Sequence, residues 1–246
     1  MIAGSEDLKD IRKAGKIVAS VMRELKGMVR PGLATIKLDE AARSLILKAN
    51  GYPAFKDYKG FPGNICVSIN EAVVHGIPSD RIIRDGDIVS LDIGVKFRDY
   101  FADAAITVGV GAISDTAKSL IDVTEKALDA GIENALSGRR ISDVSAAIQA
   151  FVESRGFSIV RAFVGHGIGK KLHEEPEIPN YGRPGSGMVL SAGRVLAIEP
   201  MVNAGTYEVE VLDDGWTAVT KDGKLSAHFE HTIVVGDRKA EIVTKL

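Results

Sequence analysis

The sequence predicts an α+β fold built from a duplicated ααβββ unit, and three observations carry that prediction. A long helical period, a turn containing glycine, a second helical period and a Gly-aromatic stop occur twice, closing at Gly51-Tyr52 and at Gly156-Phe157. Runs of β-formers follow each stop. No linker separates the two halves. Two such units would pair their strands into a sheet with helices behind it, so residues 1–246 are expected to form one domain with pseudo-twofold construction.

The elements follow in order. From Asp7 to Val29, apolar residues at Leu8, Ile11, Ile17, Val18, Val21, Met22 and Leu25 keep close to helical period, and Arg30-Pro31-Gly32 ends the helix. Thr35 is placed to cap a second helix with Leu38, Ala41, Ala42, Leu45 and Ile46 on one side, closed by Asn50-Gly51. A loop rich in aromatics and glycine runs from Tyr52 to Asn64. Ile65 to Ile69 reads as a short strand, and Asn70 to Pro78 as the loop that holds His75. Ile88 to Val108 is a hairpin with polar Lys96 to Asp99 as its bend. Pairing about a centre between Phe97 and Arg98 sets Asp92 directly opposite Asp103. In the second half Ser114 caps a helix through Ala135, Ser137-Gly138 breaks it, and Ser142 begins another that ends at Arg155-Gly156-Phe157. Strands are expected from Ser158 to Val164, Arg194 to Ile198 and Phe229 to Val235.

Composition excludes several classes. A net charge of -2 on 246 residues provides no basic stripe for nucleic acid. Met1 to Asp10 is polar without an apolar targeting core, and no run reaches a membrane span, so the chain is expected to be cytoplasmic. With a single cysteine, Cys66, it has neither an internal disulfide nor an all-cysteine zinc module.

The acids are the informative residues. Asp92 and Asp103 facing each other in a half-buried sheet would repel and be poorly solvated. Glu199 ends an apolar strand and Glu230 begins one, and a buried acid is costly unless paired or metal-bound. His166 lies between Gly165 and Gly167, which leave its imidazole room to approach something closely. Two divalent cations would balance the four carboxylates, which can bridge ions about 3.5–4 Å apart. The resulting set is Asp92, Asp103, His166, Glu199 and Glu230.

That ordered set, in the contexts GHGIG, HEEP (His173 to Pro176), AIEP (Ala197 to Pro200) and FEHTIVV (Phe229 to Val235), resembles the methionine aminopeptidases of the compact type I form over nearly the whole chain. The resemblance implies the pita-bread fold and a hydrolase that removes the initiator methionine from nascent proteins when the second residue is small. It implies Asp103 and Glu230 shared between two divalent ions, cobalt, manganese, iron, zinc or nickel, with Asp92 completing one, and His166 and Glu199 the other. A bridging water of lowered pKa would be the nucleophile, with Glu199 taking its proton. His173 would steady the oxyanion and His75 would contact the peptide beyond the scissile bond. Tyr58, Phe61, Cys66 and Trp216 would wall the pocket for the methionine side chain, with His75 at its rim. A monovalent cation is placed near Asn70. The resemblance leaves the pattern at Leu172, where the family carries an aromatic, and at Gly94, where it carries a hydroxyl residue.

His228 and His231, on either side of Glu230, read as ordinary histidines, and Cys66 as pocket wall rather than reactive thiol. The rival readings are an Xaa-Pro peptidase, which usually adds a substantial N-terminal domain, and a peptide-binding module without catalysis. The partners expected are N-terminal methionine, with docking at the ribosome, for a monomer that meets neither nucleic acid nor membrane.

Overall fold

The computed structural model describes residues 2–245. Its first half contains helices α1 (Ser5–Met28) and α2 (Thr35–Lys48) and strands β1 (Tyr52–Pro53), β2 (Cys66–Ile69), β3 (Ala72–Val74), β4 (Ile88–Phe97) and β5 (Tyr100–Gly109). The second half repeats the helix pair as α3 (Asp115–Asn134) and α4 (Ile141–Glu153). Strands β6 (Ser158–Ile159), β7 (Gly165–Gly167), β8 (Glu174–Ile178), β9 (Val195–Ile198) and β10 (Met201–Asn203) come next. The chain closes with β11 (Val209–Val211), β12 (Ala218–Thr220), β13 (Ser226–His228), β14 (Glu230–Val234) and β15 (Glu241–Ile242).

Nine strands form the main sheet in the order β1-β4-β5-β14-β9-β7-β8, with β2 on β4 and β15 on β14. Strands β13-β10-β6 and β11-β12-β3 make two smaller sheets. Helix α1 packs on β4 and β5, whereas α3 packs on α4 and reaches β5, β9 and β14. The helices contribute stripes of buried residues, Ile11, Val18 and Leu25 on α1 and Leu120, Ala127 and Leu128 on α3. All but Ile11 share one core with the buried Ile88, Leu91, Ile93, Leu196 and Ile198 of the sheet, and Ile11 packs in a second cluster with Val195, Ala197 and Val234. The α+β architecture, the duplicated helix pairs and the helix-backed antiparallel sheet are those expected from sequence.

Local chemistry sets the boundaries. Ser114 caps α3, its Oγ accepting from the Ala117 N–H at 3.1 Å. Thr35 does not cap α2: Ala34 is the cap residue, and the Thr35 hydroxyl instead donates to the Ser79 carbonyl and accepts from its N–H, both at 2.9 Å. The second helix of the later half starts at Ile141 rather than Ser142, with Asp143 accepting from the Arg140 N–H at 2.8 Å.

Two expectations need correction. The strand expected from Ser158 to Val164 ends at Ile159. Val160 still donates to Met201 at 3.0 Å, but Arg161 and Ala162 turn out to solvent before the chain re-enters as β7. In the hairpin, Phe97 pairs with Tyr100, so the turn is the two residues Arg98-Asp99 with Arg98 left-handed (φ 53°). Asp92 therefore faces Ala105, and Asp103 faces Gly94. Moving the centre of the turn by one residue, to between Arg98 and Asp99, moves the register by two, which preserves the face each side chain occupies. The two aspartates remain on one side of the sheet, diagonal rather than opposite.

Candidate active site and metal centre

Five strands bring the polar residues together. Asp92 projects from β4 and Asp103 from β5. Glu230 starts β14, paired to Ala105 of β5. His166 sits on β7 opposite Ala197, and Glu199 follows the end of β9. Asp103, His166 and Glu230 place ligand atoms within 4.8 Å of one another. His166 Nε2 lies 3.4 Å from Glu199 Oε1 and 3.6 Å from Asp103 Oδ2. The glycines beside His166 serve the backbone rather than the imidazole. A Cβ on Gly165 would sit 2.5 Å from the Ala197 carbonyl oxygen, and one on Gly167 would sit 2.3 Å from that of Glu175.

Polar contacts fix the orientation of each donor. His166 Nδ1 donates to the Gly167 carbonyl at 2.9 Å, which leaves Nε2 bare and aimed at the acids. The Thr232 hydroxyl donates to Asp103 Oδ1 at 2.9 Å and accepts from the Asp103 N–H at 3.0 Å. The Cys66 thiol faces Asp92, its strand partner, and burial and that carboxylate push it well above its usual range. It is a wall of the site, inert as a nucleophile.

The acids are strained electrostatically. Burial pushes Asp92, Glu199 and Glu230 well above the ordinary carboxylate range, and the charge of Asp103 adds to each. Asp103 itself is raised to about 6, chiefly by burial. Among the described residues the cationic groups within 4 Å of these carboxylates are His166 and His228 alone, and burial lowers them to about 4 and about 3, so neither supplies charge near neutrality. Asp92 Oδ1 is buried without a hydrogen-bond partner. Clustered anionic oxygens, one bare imidazole nitrogen and an orphaned carboxylate oxygen are what a divalent cation would satisfy.

The acids line a cavity of about 230 Å³. Every expected site residue lines it: Asp92, Asp103, His166, Glu199 and Glu230 with His75, His173, Tyr58, Phe61, Cys66 and Trp216. His173 stands at the rim with Nδ1 bonded to the Tyr58 hydroxyl at 2.8 Å, its ring 4.3 Å from that of His166. Phe61 meets Trp216 edge-on at 5.2 Å, and His75, left-handed at φ 59°, lies edge-on to Trp216 at 6.4 Å and to Phe163 at 5.4 Å. At Asn70, expected beside a monovalent cation, the amide is engaged by protein: Oδ1 accepts from Ile88 and Nδ2 donates to Asp87.

Three lining residues escaped the sequence reading, Phe55, Lys59 and Leu172, although the last was noted as a departure. His228 is a correction. It was expected to be ordinary, yet its Nε2 is buried without a hydrogen-bond partner 3.7 Å from Glu199 Oε2, because Thr107 of β5 grips its backbone N–H and carbonyl, each at 2.9 Å. Alternation along Ser226 to Glu230 was the available signal, since His228 shares a face with Glu230. His231 is indeed structural, bonded to Thr244 at 2.9 Å.

A model of metallopeptidase family M24 matches residues 9–237. Methionine aminopeptidase from Clostridium perfringens is 51% identical over 244 residues, covering 99% of this chain and 98% of that protein. The chain belongs to the methionine aminopeptidases of family M24. The crystal structure of the member from Thermotoga maritima superposes with a TM-score of 0.99 at 45% identity, covering 100% of this chain and 99% of that one, and the pita-bread architecture is common to both. An X-Pro aminopeptidase of Thermotoga maritima shares the fold at 22% identity and a TM-score of 0.79, with 62% of its length covered. In this M24 metallopeptidase, Asp103, His166 and Glu230 are placed closely enough to hold a metal ion. No helix among the described residues is long and apolar enough to cross a membrane.

Proposed function

We propose that this enzyme hydrolyses the first peptide bond of polypeptides that begin with methionine, favouring a small second residue. The observation that carries the reading is the convergence, in one cavity, of four carboxylates and a bare imidazole nitrogen beside an aromatic and thiol wall. The whole chain, 1–246, serves as a single catalytic domain. It acts as a monomer in the cytoplasm and meets nascent chains at the ribosome.

Asp92, Asp103, His166, Glu199 and Glu230 would together hold two divalent ions. This oxygen-rich donor set with one imidazole suits manganese, iron, cobalt, zinc or nickel. Bound there, the ions supply Lewis acidity and a water of lowered pKa.

The protein's own groups do the rest. Glu199, held 3.4 Å from His166 Nε2, accepts the proton released at the attacking oxygen and passes it toward the leaving amine. His173, its Nδ1 fixed by Tyr58, presents Nε2 to the carbonyl oxygen as negative charge develops. His75 at the rim holds the peptide beyond the scissile bond. The thioether lies against Tyr58, Phe61, Trp216 and Cys66, where sulfur over aromatic rings gains roughly 0.3–1.5 kcal/mol per contact.

Release of methionine from Met-Ala-Ser, compared with proline-containing dipeptides and repeated with chelator, tests the reading. Chelator-sensitive cleavage of Met-Ala-Ser alone is expected. Cleavage of the proline dipeptides would transfer the chain to the Xaa-Pro activity, and no cleavage by metal-loaded protein would leave a binding module.

A further inference from the structure

Arg161 stands exposed between two aromatic rings. Its guanidinium carbon lies 4.2 Å from the centre of the Tyr207 ring and 5.3 Å from that of Tyr181, within the range of cation–π attraction. Both rings reach solvent, Tyr207 at 44% exposure and Tyr181 at 37%. Among the described residues the guanidinium has neither a hydrogen-bond acceptor nor a carboxylate within 4 Å, so its N–H edges are free.

The clamp is fastened to the backbone around Glu199. Val160, just before Arg161, donates to the Met201 carbonyl at 3.0 Å. Asn180, just before Tyr181, donates from Nδ2 to the Glu199 carbonyl at 3.0 Å. Asn203 donates from Nδ2 to the carbonyl of Thr206, just before Tyr207, at 2.9 Å. Three loops are thereby tied to one short segment that follows the end of β9.

The loop that carries Arg161 also walls the site. Ala162, Phe163 and Val164 line a cavity of about 190 Å³ with His75, His173 and Glu199, and the Phe163 ring meets that of His75 edge-on at 5.4 Å. Arg161 is two residues from Phe163, a separation of at most about 7 Å. A peptide held by His75 beyond its scissile bond advances about 3.3 Å per residue when extended, so its third and fourth residues come within reach of the guanidinium.

We propose that Arg161, clamped by Tyr181 and Tyr207, is a carboxylate-binding site for the substrate chain and favours an acidic side chain at its third or fourth residue. This rests on the aminopeptidase reading above. A planar fork stacked on rings presents parallel N–H groups that match a carboxylate, and the stacking leaves less motion to be lost when the acid docks.

The test compares kcat/KM for C-terminally amidated five-residue peptides beginning Met-Ala, with glutamate or glutamine at position three or four, in wild type, Arg161→Gln, Arg161→Lys and Tyr207→Leu. Wild type should favour glutamate about two- to fivefold at low salt, the scale of one exposed ion pair, and lose the preference in about 0.5 M salt. Arg161→Gln should abolish the preference while leaving the glutamine peptides within twofold of wild type. Arg161→Lys should keep part of it, and Tyr207→Leu should weaken it. A preference that is absent from wild type, survives Arg161→Gln, or appears only when the peptides end in a free carboxylate overturns the proposal. So does an equal fall for both peptide series in Arg161→Gln, which is what a merely structural brace would produce. A wild type that cleaves none of the peptides defeats the aminopeptidase reading instead, and fluorescence anisotropy of the same peptides, dye-labelled at the C-terminus, then decides this proposal by the same ratios.

Discussion

In protein stripped of metal, Asp103→Asn should increase stability near neutral pH, because the native site holds a carboxylate that it solvates badly. Asp103 is 3% exposed, and burial lifts its carboxyl from the ordinary 3.8 to about 6. At about 1.4 kcal/mol per tenfold change in proton affinity, that rise corresponds to about 3 kcal/mol. Below 3.8 the folded and unfolded states both hold the proton, and the penalty vanishes. As pH rises from 3.8 to 6 the unfolded state releases its proton first, so unfolding gains ground until the penalty is complete. Asparagine keeps an acceptor for the Thr232 hydroxyl, 2.9 Å from Oδ1 in the wild type, so the substitution removes charge with little loss of contact. Urea unfolding of both proteins in chelator should show a stability difference near zero at about pH 4 that grows to about 3 kcal/mol at about pH 7.5. For a chain of this size that amounts to roughly 6–12 °C in melting temperature. Added manganese should raise the wild type and leave the variant nearly unmoved, reversing their order. A difference that stays flat across this range, or a wild type more stable than the variant in chelator near neutral pH, would refute the argument that burial strains the acids.

Glu199→Gln should lower kcat by at least about a hundredfold, the loss of a general base, and activity above a few per cent in a steady-state assay would contradict that role. Tyr58→Phe keeps the ring and removes the hydroxyl 2.8 Å from His173 Nδ1, so kcat should fall about fivefold with KM unchanged, in line with one hydrogen bond of about 1 kcal/mol; an unaltered kcat would mean His173 is held by something else. Gly15→Ala improves helix propensity yet puts a Cβ 2.3 Å from the Val243 carbonyl oxygen, so thermal unfolding should report a net loss of about 1–3 kcal/mol, and a gain would show that the C-terminal segment yields.

The helix pairs were legible because long amphipathic periods repeat with glycine stops, and the donor set because each acid interrupts β-forming sequence. The hairpin register was misread because polarity marks a bend only to within a few residues. A left-handed Arg98 in a two-residue turn leaves little trace in composition. Strands of three residues such as β3, β10 and β13 carry too little alternation to stand out, and β8, Glu174–Ile178, reads as acid and proline rather than strand. The role of His228 depended on β13 and on Thr107 across the chain, a long-range contact with no local signature. Phe55 was hidden for a related reason: it reaches the cavity wall just after β1, a strand of two residues with too little alternation to read.

Placement of the acids along the duplication explains why neither half could hold the site alone. Strand β5 belongs to the first unit and β14 to the second, and they meet where Glu230 pairs with Ala105 and His231 with Ala104. Asp103 and Glu230 therefore carry their charges on either side of the seam. Two polar clasps cross the same seam, Thr232 on Asp103 and Thr107 on the backbone of His228. The hydroxyls orient groups but carry no charge, so they cannot offset the burial that raises both Glu230 and Asp103, to which the Asp103 charge adds at Glu230. A cation held by those two carboxylates would act on both units at once, supplying the positive charge that two buried acids at the seam lack. On that argument the ion-binding group and the joint between the repeats are a single feature, and chelation should loosen β5 from β14 before it loosens either helix pair from its own strands.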